Sequence, residues 1–244
     1  MRWPAQLSSA QKLGVIVNSL RFMGPIATLK GALAHLVADR PDRDTRFDRR
    51  YGTDTAGEVQ PEDLGIDDPD TRKAAVRYLP SPPAITRRLL SELDVDPAAW
   101  SFVDFGCGKG RVVMVAAQFG FKRVEGVEIS RALHLIAEDN ARRFAAAEPQ
   151  AAPIVVRCAD ARTVELPPGD TVLHFYHPFD PPVLADVLAN VGRSLASSPR
   201  RIRIVYLAAF QEALDVLDAA PFLRCQRFVR CVDNKYAWAM YESC

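Results

Sequence analysis

Between residues 103 and 110 the chain reads Val-Asp-Phe-Gly-Cys-Gly-Lys-Gly, three alternating glycines close behind an acidic side chain. Gly106, Gly108 and Gly110 permit a sharp turn and a close approach of the backbone to a ligand. An apolar stretch precedes the run and small or branched residues follow it. The pattern predicts a strand, a turn and a helix whose first N–H groups face the ligand. Glu128 closes the next apolar stretch, 22 residues after Gly106, where a carboxylate can accept hydrogen bonds from two ribose hydroxyls. A nicotinamide or flavin site has similar parts, but its fingerprint is G-x-G-x-x-G. Here the spacing is G-x-G-x-G with Asp104 in front. Asp104 would repel a pyrophosphate and attract an ammonium group.

A second constellation is Phe175-Tyr-His177-Pro178-Phe179 at the end of a later apolar stretch. Neutral imidazole accepts one hydrogen bond through its unprotonated nitrogen. Its reference pKa, about 6.5, also suits it to take a proton near neutral pH. Cys158-Ala-Asp160-Ala161 ends the stretch between; taken alone, Asp160 reads as a helix N-cap. No metal site is expected, because His177 and Asp180 have no third ligand at usable spacing. Five scattered cysteines without a C-x-x-C pair read as free thiols of a reducing compartment, so the expected location is cytoplasmic.

The elements that must position these groups follow from periodicity. Residues 8–38 read as one or two helices with Ser8 or Ser9 as N-cap, interrupted near Gly24-Pro25. Residues 40–75 read as a polar, acidic loop or lid. Tyr78-Leu-Pro-Ser-Pro-Pro83 is extended, and a helix over 84–93 follows. Strands at 102–105, 123–128, 153–157, 171–176 and 201–207 then alternate with helices at 110–119, 131–147, 181–195 and 211–217. Two further strands, 222–232 and 235–241, close the chain as a hairpin around Asp233-Asn234. Alternation predicts an α/β fold: a Rossmann-like, seven-strand, mostly parallel sheet with helices on both faces and a C-terminal antiparallel hairpin. The expected division is an N-terminal helical extension with its acidic loop, 1–75, and a ligand-binding domain, 76–244.

Charge excludes little in bulk: the net charge is +1 over 244 residues. Residues 1–50 carry nine Lys/Arg against four Asp/Glu, whereas 51–70 carry seven Asp/Glu and no Lys/Arg. Such blocks read first as solvated faces. The apolar run 13–38 is cut by Arg21 and Lys30 into lengths too short to span a bilayer. Core packing is the first reading of residues 8–38, and weak membrane-surface contact the second. A nucleic-acid partner is not expected, since no base-stacking or phosphate-binding patch is evident.

These motifs resemble those of the class I, seven-strand S-adenosylmethionine-dependent methyltransferases. Asp104-Phe-Gly-Cys-Gly-Lys-Gly110 is similar to their motif I and Gly126-Val-Glu128 to motif II. Ala137-Glu-Asp-Asn140 resembles the A-x-x-N that often follows, and Cys158-Ala-Asp160-Ala161 a G-D-A motif with Cys158 in the Gly position. The resemblance implies that Asp104, Gly106, Cys107, Gly108 and Gly110 hold the methionine end of S-adenosylmethionine and Glu128 and Ile129 its ribose. It implies that Asp160 and the Ala161 N–H meet the adenine. His177-Pro178-Phe179 stands where amino-group methyltransferases carry (Asp/Asn)-Pro-Pro-(Tyr/Phe), with His177 in the amide position. Tyr78-x-Pro80-Ser81-Pro82, ahead of motif I, is similar to a segment of Dot1-type and small protein-lysine methyltransferases. It implies that Tyr78 borders the cofactor, under a cover formed by Phe47–Thr55. Bacterial methyltransferases with an FDRRYG-x-DT … FGCGKGR … FY-x-PF pattern look most similar, and that group fixes no substrate. The expectation is methyl transfer to an amine, on a protein lysine or a small molecule, with His177, Pro178, Phe179 and Tyr78 around the acceptor. The rival expectations are a catalytically silent cofactor-binding module and a nicotinamide-dependent oxidoreductase.

Overall fold

The computed structural model describes residues 8–32, 45–66, 68–231 and 236–244. Its sheet is built from β1 (Ser101–Phe105), β2 (Arg123–Glu128), β3 (Ile154–Cys158), β4 (Thr171–Tyr176), β5 (Ile202–Leu207), β6 (Leu223–Val229) and β7 (Trp238–Ser243). The strand order is β3-β2-β1-β4-β5-β7-β6. Neighbours among β1–β5 pair in parallel, and β7 runs antiparallel to both β5 and β6. The expected fold is therefore the observed one, and its hairpin pairing is present; the turn at Asp233-Asn234 lies outside the described residues. Strand order reverses between β1 and β4, and ligands of open α/β sheets bind at the carboxyl ends of the strands beside such a reversal.

Alternation along the strands assigns side chains to two cores. Phe102 and Val172 face one core with α5 (Pro83–Ser91), α6 (Arg111–Ala117) and α7 (Arg131–Ala147). Val103, Phe105, Leu173 and Phe175 face the other, against α8 (Pro181–Ser197) and α9 (Gln211–Ala219). By the same alternation Asp104 and His174, register partners across β1 and β4, turn toward the α6 side. Ser130 caps α7 and Asp180 caps α8, each accepting from a backbone N–H three residues on.

The N-terminal part contains α1 (Ser9–Met23) and α2 (Pro25–Ala32), broken at Gly24-Pro25 as expected, with Ser8 in a reciprocal capping box with Gln11. Residues 45–66 depart from the expected loop. There, α3 (Arg46–Tyr51) ends at left-handed Gly52, and α4 (Pro69–Ala74) follows further on. Phe47 and Tyr51 pack against Phe144 of α7 at ring distances of 6.5 and 4.9 Å. Leu64 and Ile66 form a small cluster with Leu133. The polar residues of this segment are used internally. Asp48 accepts from the Thr55 N–H at 2.9 Å and the Ala56 N–H at 2.8 Å. Buried Asn140 accepts from Asp54 N–H at 2.7 Å and donates to the Asp54 and Lys109 carbonyls at 2.9 Å each.

Asn140 thus ties residue 54 to the glycine turn through three hydrogen bonds. Asn140→Ala leaves those backbone groups without their partner and is expected to lower stability by about 2 kcal/mol, read as a shift of the urea midpoint with unchanged slope.

Candidate active site

The carboxyl ends of β1–β4 open into a cavity of about 500 Å³, within the usual range of small-molecule sites. Asp104, Gly106, Cys107, Gly108, Glu128, Ile129, Asp160 and Ala161 line it, together with Tyr78, His177, Pro178 and Phe179. Those twelve were the expected site residues, and the fold brings them to one place. Gly110 was also expected there, but the structure places it elsewhere. It caps α6, and a β-carbon on it would sit 3.4 Å from Ala137 Cβ. Its missing side chain serves the α6–α7 contact.

Two glycines of the turn are in closer contact. A β-carbon at Gly106 would lie 2.4 Å from Pro178 Cβ, and one at Gly108 would lie 2.2 Å from the Tyr78 ring. Both residues have positive φ, +70° and +55°, which side chains other than glycine rarely adopt. The segment after β4 and the extended segment before α5 therefore press directly on the turn. Tyr78 is held in place because its hydroxyl donates to the Thr55 carbonyl at 2.7 Å. Arg111 Nε in turn donates to Thr55 Oγ1 at 2.7 Å. Thr55 thus stands behind Tyr78, but the expected cover by Phe47–Thr55 is not formed: none of residues 47–55 lines the cavity, and Phe47 and Tyr51 pack on Phe144 instead.

Buried charge is concentrated here. Asp104 Oδ1 accepts from His174 Nδ1 at 2.7 Å, both residues being almost fully buried. His174 Nε2 has no partner among the described residues, so a second ring proton would be buried without an acceptor. The geometry suits a single proton on Nδ1, shared toward an Asp104 carboxylate. Burial pushes Asp104 above the usual carboxylate range, and the His174 contact opposes it. Glu128 accepts from Gly108 N–H and Ser130 N–H at 2.8 Å each. It too is pushed up by burial, which outweighs those hydrogen bonds. Two desolvated carboxylates beside one cavity favour a cationic ligand, and each Glu128 oxygen keeps lone-pair capacity for ribose hydroxyls. Asp160 accepts from Arg162 N–H at 2.8 Å, forming a turn, and its carboxylate pairs with the Arg162 guanidinium at 2.6 Å. Partial burial works to raise Asp160, but Arg162 holds it low. These groups suit S-adenosylmethionine: carboxylates for its charged end and ribose, and the Ala161 backbone at the far wall.

On the opposite wall His177 sits at φ +40°, a strained conformation for a residue with a β-carbon. Its Nδ1 lies 3.0 Å from Tyr206 Oη, and its ring meets Phe210 edge-on at 4.9 Å. Burial lowers the His177 pKa below its ordinary value, with Glu212 opposing, so the ring is neutral at pH 7. With Nδ1 engaged by Tyr206, Nε2 is the nitrogen left for a substrate. Phe179 packs edge-on against Phe175 at 6.1 Å and bridges to Ala75.

His174 and Tyr206 were not anticipated. His174 had a signal, a single imidazole inside the apolar strand Thr-Val-Leu-His-Phe-Tyr. Tyr206 had none, because tyrosine is ordinary in a strand.

Residues 102–198 match the family model described as a methyltransferase domain. No curated protein matches the chain. Similar solved structures include a SAM-dependent methyltransferase from Aquifex aeolicus, 15% identical, covering 75% of this chain and 97% of its own at a TM-score of 0.48. An RNA methyltransferase from Salinibacter ruber is 21% identical over 68% of this chain and 92% of its own, at a TM-score of 0.42. Magnesium protoporphyrin IX methyltransferase from Synechocystis is 15% identical over 99% of both chains, at a TM-score of 0.44.

Gly108→Ala forces Tyr78 off the turn and is expected to weaken S-adenosylmethionine binding at least tenfold by calorimetry. Combining it with Tyr78→Ala relieves the collision, so the two losses should be clearly less than additive. The raised carboxylates give a second expectation. Protonating Asp104 and Glu128 removes the charge that a cationic ligand meets. Affinity should therefore fall on acidification, beginning above the ordinary carboxylate range of about 4. Asp104→Asn should bind weakly and flatten that dependence.

Proposed function

We propose that the protein is an S-adenosylmethionine-dependent methyltransferase that methylates an amine nitrogen, with a protein lysine as the favoured acceptor and a small amine as the other; the match of residues 102–198 to a methyltransferase domain supports the reading. We further assign residues 76–244 to the catalytic domain and residues 1–75 to an extension whose Thr55 holds Tyr78. The observation that carries the reading is the contact between the two halves of the cavity. Pro178 rests on Gly106, so the His177-Pro178-Phe179 segment directly adjoins the turn assigned to the cofactor.

When bound, S-adenosylmethionine supplies an electrophilic methyl group on a sulfonium; the rest falls to the chain. Asp104 and the backbone of Gly106 and Gly108 bind the charged amino-acid end. Glu128 and Ile129 take the ribose, while Asp160 and Ala161 take the adenine. An amine arrives as its ammonium, with a reference pKa of about 10.4 for lysine, and must become neutral before it is methylated. Asp68, Asp180 and Asp186 on the cavity walls attract that cation. The partly desolvated slot between His177 and Phe179 lowers its pKa, so its proton is released to bulk water before the amine takes the methyl group. His177 Nε2 accepts a hydrogen bond from the amine while Nδ1–H is donated to Tyr206 Oη, and the Pro178 carbonyl accepts a second. Tyr78 and Phe179 exclude water.

A protein-lysine or small-amine acceptor fits this wall better than a nucleic acid does. Arg201 and Arg203, of the arginine-rich stretch near β5, pair with Asp170 and Glu242 at the amino end of the sheet, away from the cavity. They offer no track leading to His177.

Transfer of labelled methyl from S-adenosylmethionine into a cell lysate tests the proposal. Label is expected in protein or in small amines. His177→Ala should reduce kcat about a hundredfold with cofactor affinity within twofold of the parent. Label recovered in nucleic acid, or no transfer despite tight cofactor binding, would overturn the amine assignment.

A further inference from the structure

We propose that the outward face of α1 and α2 docks the protein onto an anionic lipid surface. α1 touches the fold through Val15, Ser19 and Phe22, which are buried, and Phe22 packs edge-on against Trp238 at 5.4 Å. At about 100° per residue these three share one narrow arc. Leu13, Ile16, Val17 and Leu20 share another, roughly 140° around the helix. All four are exposed, from 39% at Ile16 to 62% at Leu13. α2 continues the face with Ile26 and Leu29, 72% and 62% exposed. Single exposed apolar residues are ordinary on a protein surface, whereas a grouped set marks a contact surface. The sequence reading placed this segment in the core first; the structure buries only the inner stripe.

Charge identifies the occupant. Residues 8–32 contain Lys12, Arg21 and Lys30 and no acidic residue. Lys12 and Arg21 lie about 40° beyond either edge of the apolar stripe, and Arg21 is held at its flank by Glu92 and over the Phe22 ring. An apolar stripe bordered by cations matches a bilayer surface, where apolar side chains enter the acyl boundary and cations meet anionic headgroups. A second copy docking by two-fold symmetry would oppose cations to cations. Spanning is not the mode: α1 has 15 residues, and no helix among the described residues is long and apolar enough to cross a membrane. None of the exposed apolar residues of α1 and α2 lines the cavity, so docking and cofactor binding are separable.

Flotation of the full chain with vesicles provides the test. Vesicles of phosphatidylcholine mixed with phosphatidylglycerol should carry the protein up, and vesicles of phosphatidylcholine alone should carry far less. Binding should weaken with added salt. Lys12→Gln should reduce it about fivefold, and Leu13→Ser with Leu20→Ser at least tenfold. Calorimetric S-adenosylmethionine binding should be unchanged in both variants, which shows that they fold. Absence of flotation, equal flotation with both vesicle types, or full flotation of the leucine variant would overturn the proposal. So would a lipid-free dimer that the leucine variant dissolves, because the face would then be a subunit contact.

Discussion

Two backbone positions without side chains allow three distant parts of the chain to meet. Pro178 follows β4, Tyr78 precedes α5, and both press on Gly106 and Gly108 at distances no β-carbon tolerates. The contact also transmits position. Tyr78 is held by Thr55, Thr55 by Arg111 and Asp48, and residue 54 by Asn140. The segment ahead of the sheet thereby fixes the ring that covers the turn. A turn of this kind would otherwise be an open backbone edge. Here it becomes one wall of a cavity whose opposite wall is set by the end of β4.

Charge is the second constraint. Buried carboxylates cost several kcal/mol each unless hydrogen bonds and counter-charges offset them. Asp104 has the His174 imidazole and Glu128 two backbone N–H groups. The chain treats Asp48 differently, surrounding it with Thr55, Ala56 and the Arg111 guanidinium. Asp48 is thus paired within the fold, whereas Asp104 and Glu128 lie beside an open space, with burial pushing both above the usual carboxylate range. That contrast separates a structural carboxylate from one whose counter-charge arrives with a ligand.

The same distinction explains what the sequence made legible. Strand and helix alternation from residue 101 onward is written in apolar periodicity, and its boundaries reappear within a few residues. The glycine turn and Glu128 were recognisable because backbone conformation restricts residue type there. Residues 45–66 were misleading because Asp48 and Asp54 are the polar residues of a loop by composition. Their partners, Lys109 and Arg111, are more than 50 positions away from 48 and 54, beyond any local pattern. Gly110 was read with its neighbours as a ligand contact, yet its small size serves α7.

His177 shows how one departure in a motif redistributes the work of a site. An amide at that position would accept through oxygen without any tautomer to fix. An imidazole accepts through one nitrogen only, so the other nitrogen must carry the proton and have somewhere to place it. Tyr206 Oη, 3.0 Å from Nδ1, offers that place from the neighbouring strand. The Phe210 edge restricts the ring, and the strained backbone at His177 aims it. The replacement therefore makes sense together with a tyrosine on β5, a coupling carried by geometry that neither residue reveals by itself.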